Sequence, residues 1–197
     1  MSINRGTGAG GANTNALGLA FEEKTSNYLR LLKAGYVVQY ANKSGSSRIM
    51  ENNIEQDKPI EQDKTIFMTK GGLNTYMTQK FGVEMFREPD EAYYIKTPQG
   101  PRLKILEKKN QTMEGSVDTK LLAGPGFLEE YTWMMGKIGP GITVDYAFCV
   151  SSFLKEKILS DKPKWQALRD INKKYGITVL FGDDEDYFEK LDAWIQA

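Results

Sequence analysis

The sequence predicts an α/β protein with a mixed central sheet and helices on the faces of that sheet. Three observations carry the prediction. Segments of helical period and of strand period follow one another along the chain instead of falling into separate blocks. A tight turn at Thr97-Pro98-Gln99-Gly100-Pro101 joins two strand-like runs into a hairpin. A later apolar run, Ile142 to Val150, reads as a buried strand and is followed by two helices, another strand and a last helix.

Taken in order, Leu17 to Ala34 reads as an amphipathic helix, because Leu17, Phe21, Tyr28, Leu31 and Leu32 recur at helical spacing and Gly35 stops it. Tyr36 to Tyr40 is a short strand. Residues 42–64 form a polar loop insertion containing a duplication, Ile54-Glu-Gln-Asp-Lys-Pro followed by Ile60-Glu-Gln-Asp-Lys-Thr. Two copies of six residues do not make a solenoid. Thr69 to Gly72 is a turn, and Leu73 to Phe81 is a helix or a mobile segment. Glu91–Ile95 and Arg102–Lys109 are the hairpin strands. Ser116 is placed to cap a helix over Val117–Ala123, and Gly124-Pro125-Gly126 ends or kinks it before Phe127–Met135. Helices over 153–159 and 163–175 precede the strand Ile177–Phe181. Asp183 or Asp184 then caps a helix to Ile195. Residues 17–197 thus read as one domain, and residues 1–16, rich in Gly, Asn, Ser and Thr, as a flexible lead-in without a signal-peptide core.

Composition narrows the chemistry. The chain has 197 residues, no histidine and one cysteine. Without histidine there is no Ser-His-Asp triad, no Cys-His pair and none of the usual zinc sites. Acid–base or metal chemistry must then run on carboxylates, lysines, tyrosines and water, and carboxylate oxygens favour hard cations such as Mg²⁺. The single Cys149 excludes an intramolecular disulfide and suits a reducing cytoplasm. Cys149, on an apolar strand, reads as packing, and Trp133, Trp165 and Trp194 read as core. No apolar run is long enough to span a bilayer. The net charge of zero carries no global sign of nucleic-acid binding, although residues 65–125 lean basic and 126–197 lean acidic. The absence of a Walker loop or of Gly-x-Gly-x-x-Gly after a strand removes the nucleotide-cofactor folds.

The chemistry concentrates in the hairpin. Side chains alternate along a strand, so Leu103, Ile105, Glu107 and Lys109 share a face. Two apolar residues running into an acid and a base describe a strand leaving the core for a polar site. A turn centred on Gln99 pairs Ile95 and Lys96 with residues near Leu103 and Arg102, and sets Asp90 opposite Lys108 to within one residue. Sharing a face with Glu107 then requires a one-residue shift or a bulge. Cross-strand neighbours lie about 5 Å apart, where two carboxylates can share one divalent cation. Glu-x-Lys by itself is a weak signal, and Glu22-x-Lys24 is a second instance.

Pro89-Asp90 before the first strand, with Glu107-x-Lys109 on the return strand, resembles the PD-(D/E)XK nucleases, which include many type II restriction endonucleases. Gly18-Leu19-Ala20-Phe21-Glu22 is similar to the Gly-x-x-aromatic-Glu pattern of their N-terminal helix, and 107–120 is similar to stretches of restriction-endonuclease-like proteins. The resemblance spans about residues 17–123. It implies a restriction-endonuclease-like α-β-β-β-α-β core and Mg²⁺-dependent hydrolysis of DNA phosphodiester bonds, with Mn²⁺ as a substitute ion. It also implies that Asp90, Glu107 and the backbone carbonyl of Lys108 hold the ion, that Lys109 serves the attacking water or the developing charge, and that Glu22 orients a water or completes a second metal site. Glu23, or no residue of that helix, is the competing choice. Gln111 and Lys120 are candidates for phosphate or DNA contact. Lys108 and Arg87 are similar cases, while Asn13, Asn15, Lys70 and the 42–64 loop are candidates to reach bases. The Asp183–Asp186 run reads as helix-dipole acids rather than a metal site. The expected partners are double-stranded DNA, a second copy of the chain in a homodimer, and a cognate DNA methyltransferase as a genetic partner, with a cytoplasmic setting in a prokaryotic or virus-infected cell. A repair or recombination nuclease of junction-resolvase type, or an inactive DNA-binding module, are the alternatives.

Overall fold

The computed structural model of the protein describes residues 12–52, 64–112 and 117–197. Its centre is a seven-stranded mixed sheet whose strands lie side by side in chain order. These are β1 (Tyr36–Ala41), β2 (Arg48–Asn52), β3 (Lys64–Thr69), β4 (Glu91–Thr97), β5 (Gly100–Lys109), β6 (Thr143–Val150) and β7 (Thr178–Phe181). Neighbours from β1 to β5 are antiparallel, whereas β5, β6 and β7 run parallel. The change of direction follows from the connections. Parallel neighbours need a crossover, supplied here by α4 (Val117–Leu122) and α5 (Gly124–Ile138), then by α6 (Ser152–Ile158) and α7 (Pro163–Lys174). The remaining helices are α1 (Ala12–Lys24), α2 (Tyr28–Lys33), α3 (Gly71–Phe81) and α8 (Tyr187–Gln196).

Alternation along the strands builds two cores, one on each face of the sheet. Leu103 and Ile105 of β5 pack with Ala92, Tyr94, Tyr146 and Phe148 against α3, α5 and α7. Leu106 of the same strand packs with Tyr93, Ala147 and Cys149 against α1 and α8. Both faces are covered, so a charged residue in the middle of the sheet, such as Lys104 or Lys108, is buried and has an acid as its partner.

Several sequence expectations change. The helix read over 17–34 is two helices, and it begins at Ala12, inside the segment read as lead-in. It breaks because Asn27 leaves the helical pattern of bonding: its N–H donates to Glu91 Oε1 at 3.1 Å and its amide to the Tyr93 hydroxyl at 3.3 Å. The polar stretch 42–64 contains β2 and the start of β3. Most of the duplication and the Ser116 cap lie outside the described residues. The helix read over 117–123 does end before Gly124-Pro125-Gly126, at Leu122, but these three residues belong to the next helix. They form the first turn of α5, where proline loses no helical hydrogen bond. Helix α3 starts at Gly71 and approaches β2 so closely that a Cβ on Gly72 would lie 2.2 Å from the Arg48 carbonyl oxygen. Neither Asp183 nor Asp184 caps α8. Asp183 accepts from the Ser152 N–H and pairs with Lys24, and Asp184 pairs with Lys155.

On the α1/α8 face, Lys108 and Glu91 form a buried ion pair at 2.8 Å, with side chains 3% and 1% exposed. Lys108 was read as a candidate phosphate contact, but alternation turns it away from Glu107 and Lys109 and into the interior. Its ammonium also donates to the Glu22 carbonyl at 3.2 Å, and Tyr93 donates to Glu91 Oε2 at 2.7 Å. Two charges taken out of water are tolerated because the acid has three donors and the base two acceptors. Truncating one member leaves the other uncompensated. We therefore expect Lys108→Ala to lose about 3–5 kcal/mol of stability, and the double variant Lys108→Met, Glu91→Leu to lose much less. Urea unfolding of both in metal-free buffer makes the comparison.

Candidate functional site

The site lies where β3, β4 and β5 end at one edge of the sheet. Thr97 pairs with Gly100 across a two-residue turn, and the hairpin keeps one register from there to Glu91 opposite Leu106. One further step sets Asp90 opposite Glu107. The expectation that Asp90 faces Lys108 is therefore off by one residue, and no bulge is needed. The turn is centred between Pro98 and Gln99 rather than on Gln99, which shifts every pair by one.

Asp90 and Glu107 share the face that carries Ile105 and Ala92, so their Cβ atoms stand about 5 Å apart. Asp90 Oδ2 accepts the Lys108 backbone N–H at 2.6 Å. Glu107 Oε1 accepts from Lys109 Nζ at 2.6 Å, with both side chains partly buried. Asp90, Glu107 and Lys109 are thus brought together. Burial, with the Glu107 charge adding to it, pushes the Asp90 carboxyl up to about 6, although the Lys108 N–H and the Lys109 ammonium act in the opposite direction. An acid held this way is relieved by a cation.

Glu22 stands on α1 and reaches the same edge. Its carboxylate pairs with Lys70 Nζ at 3.2 Å and raises Asp90 through space as a weaker repulsive charge. Lys70 follows the last residue of β3, Thr69, which pairs with Glu91, so one more step brings Lys70 level with Asp90. Lys70 is the one non-glycine residue with positive φ among the described residues, at φ 46° and ψ −125°. Such a backbone costs on the order of 1–3 kcal/mol.

The other candidates fall elsewhere. Strand β5 ends at Lys109, so alternation no longer carries Gln111 to the site face. The Gln111 N–H and carbonyl both bond the Ser151 hydroxyl, and the residue lines a separate cavity with Phe21 and Ser152. Lys120 is exposed on α4. Arg87 pairs with Glu130 at 2.8 Å and lies over the Phe127 ring. Two tyrosines absent from the sequence reading, Tyr131 of α5 and Tyr146 of β6, stand beside Glu107. Burial pushes both phenols far up, with Glu107 as the largest charge contribution. Sequence gives them away only as aromatics on the inward faces of their elements.

Among the described residues no group of three or more acidic or cysteine side chains is close enough to hold a cation alone. The donor set nevertheless fits Mg²⁺, which keeps several waters and needs only one or two carboxylates. Asp90 Oδ1 and Glu107 Oε2 have no hydrogen bond among the described residues, which leaves one hard oxygen on each acid. No family model, curated protein or solved structure matches the chain.

The sign of the Asp90 effect on stability follows from linkage. Its folded-state value is raised from 3.8 to about 6, so between those values the folded protein binds more protons than the unfolded chain. Metal-free stability should therefore fall as pH rises from about 4 to about 6, by up to roughly 3 kcal/mol. Asp90→Asn should remove that slope. Urea midpoints measured at several pH values in a chelator test this, and an unchanged slope in the variant would contradict the raised Asp90 carboxyl.

Proposed function

We propose that the chain is a Mg²⁺-dependent endonuclease that hydrolyses DNA phosphodiester bonds from a restriction-endonuclease-like core, acting as a sequence-specific type II enzyme in a homodimer. The observation that carries this reading is the convergence of Asp90, Glu107 and Lys109 at the ends of paired strands, with one free oxygen on each acid. The sequence resemblance supports it independently through Pro89-Asp90 and Glu107-x-Lys109.

In this reading Asp90, Glu107 and the Lys108 carbonyl hold the ion, which supplies a Lewis acid for the phosphate and lowers the pKa of a water. The Lys108 N–H fixes the Asp90 carboxylate, so one oxygen is oriented before any ligand arrives. Glu107 holds the Lys109 ammonium in place at the rim. Lys109 then donates to a non-bridging phosphate oxygen as charge builds, or, once its ammonium has given a proton to solvent, takes the proton of the attacking water at the neutral Nζ. Glu22, drawn to the edge by Lys70, orients a water on the far side.

Incubation with plasmid and Mg²⁺ tests the reading. Wild type should give discrete fragments, and Asp90→Ala, Glu107→Ala and Lys109→Ala should each cut about a thousandfold more slowly. Lys109→Arg decides between the two roles of Lys109: it should stay inactive where Nζ takes the proton, which a guanidinium does not accept, and regain part of the activity where Nζ only donates to the phosphate. Undiminished cutting by Asp90→Ala or Lys109→Ala would refute it. Thermal shift gives a second measure: Mg²⁺ should raise the melting temperature of wild type and not of Asp90→Asn.

A further inference from the structure

We propose that the cavity walled on one side by Glu107 receives an unstacked nucleobase of the nucleotide at the scissile phosphate. The inference rests on the nuclease reading and adds what the site does with the base beside the bond.

The cavity has a volume of about 240 Å³ and is lined by four aromatic rings, Phe86 from the loop before β4, Phe127 and Tyr131 from α5 and Tyr146 from β6, together with the charged Arg87, Glu88 and Glu107. That is smaller than drug-sized pockets, so it suits one flat group and excludes a base pair. Phe127 and Tyr131 each lie 6.4 Å from Tyr146, ring centre to ring centre. Arg87 lies 4.4 Å above Phe127 and is held there by Glu130.

Two features call for a polar, flat occupant rather than an aliphatic one. The Tyr131 and Tyr146 rings are buried, and neither hydroxyl has a hydrogen-bond partner among the described residues; both open onto the cavity instead of being sealed in the core. An acceptor on the occupant replaces the water that such a hydroxyl meets, and an apolar ligand would displace that water without replacing its bond. Nucleobases offer ring nitrogens and carbonyls at their edges and a π-face for stacking. At the mouth, Phe86 is 64% exposed and stacks on Trp133, itself 55% exposed, at 5.9 Å. Trp133, read from sequence as core, is a surface ring that extends the stacking wall outward. Because Glu107 belongs to both the cavity and the acid pair, a base in the cavity has its own phosphate beside Asp90 and Glu107.

The test compares dAMP with deoxyribose 5-phosphate, which has the same sugar and phosphate but no base. Binding is read by tryptophan fluorescence and equilibrium dialysis, with Ca²⁺ in place of Mg²⁺ so that turnover does not interfere. Wild type should bind dAMP about tenfold more tightly or better. The preference should fall severalfold in Phe86→Ala, a surface change, and in the near-isosteric double variant Tyr131→Phe, Tyr146→Phe. Equal binding of the two probes by wild type would overturn the proposal, and so would a preference that both variants retain. The plasmid assay separates the two readings. Wild type that cuts DNA but ignores the base refutes the base pocket alone. Wild type that prefers dAMP but never cuts refutes the nuclease reading and leaves the base pocket supported.

Discussion

Register in the β4–β5 hairpin is the constraint on which everything else depends. Thr97 faces Gly100 across Pro98-Gln99, and the Thr97 hydroxyl donates to the Gly100 carbonyl at 2.8 Å. Gly100 takes φ +124°, a conformation that side chains rarely adopt, so the turn closes where glycine permits it. A slip of one residue would move every side chain of β5 to the other face. Glu107 would then be buried against α1 and α8, and Lys108 would stand at the sheet edge in its place. The acid pair exists because the turn has two residues and not three.

The same alternation gives the two neighbouring lysines different environments. Lys108 points into the interior, where Glu91, the Glu22 carbonyl and the break between α1 and α2 close around it. Lys109, one residue later, points to the rim and meets Glu107. Each acid of the site edge therefore has a counterpart across the sheet: Asp90 and Glu91 face opposite ways, as do Lys108 and Lys109. One pair anchors helix α1 and the other stays within reach of solvent. The anchor bears on the rim as well, because the Lys108 N–H is the donor that orients Asp90.

Much of this was legible in the sequence, for reasons that can be named. Hairpin strands, β6, β7 and the helices after them announce themselves through alternation, helical period and Gly-Pro turns, and each was found near its place. Strands β2 and β3 were missed because Arg48-Ile-Met-Glu-Asn and Lys64-Thr-Ile-Phe-Met-Thr are short and flanked by polar residues, so local pattern favours a loop. Only pairing makes them strands: β3 with β4, and β2 with β3 and β1. Glu107 and Lys109 were set on one face by strand alternation, and Asp90 was singled out by the resemblance, because the turn read from sequence placed it one residue away from Glu107. Glu91 was missed, and Lys108 misjudged, because burial of a charged pair depends on what packs over the sheet. Tyr131 and Tyr146 were missed because residues 131 and 146 meet only across the α5–β6 contact. Trp133 was misread because on α5, one helical turn can separate a covered ring from an exposed one.

Charge balance at the rim explains why a divalent ion belongs in the reading. Glu22, Asp90 and Glu107 face Lys70 and Lys109, three acids against two bases when all are ionised. Each lysine is already held by a carboxylate, so neither is free to draw in a phosphate from a distance. A polyanion approaching that edge meets a small net negative charge and is repelled at short range. A cation between Asp90 and Glu107 would reverse the sign and offset both the burial and the Glu107 charge that raise Asp90. In the proposed reading the ion would take Glu107 Oε2 while Oε1 keeps Lys109 at the rim. Substrate binding and ion binding at such an edge are linked through one set of charges, and the strained backbone of Lys70 is consistent with a residue held where that set requires it.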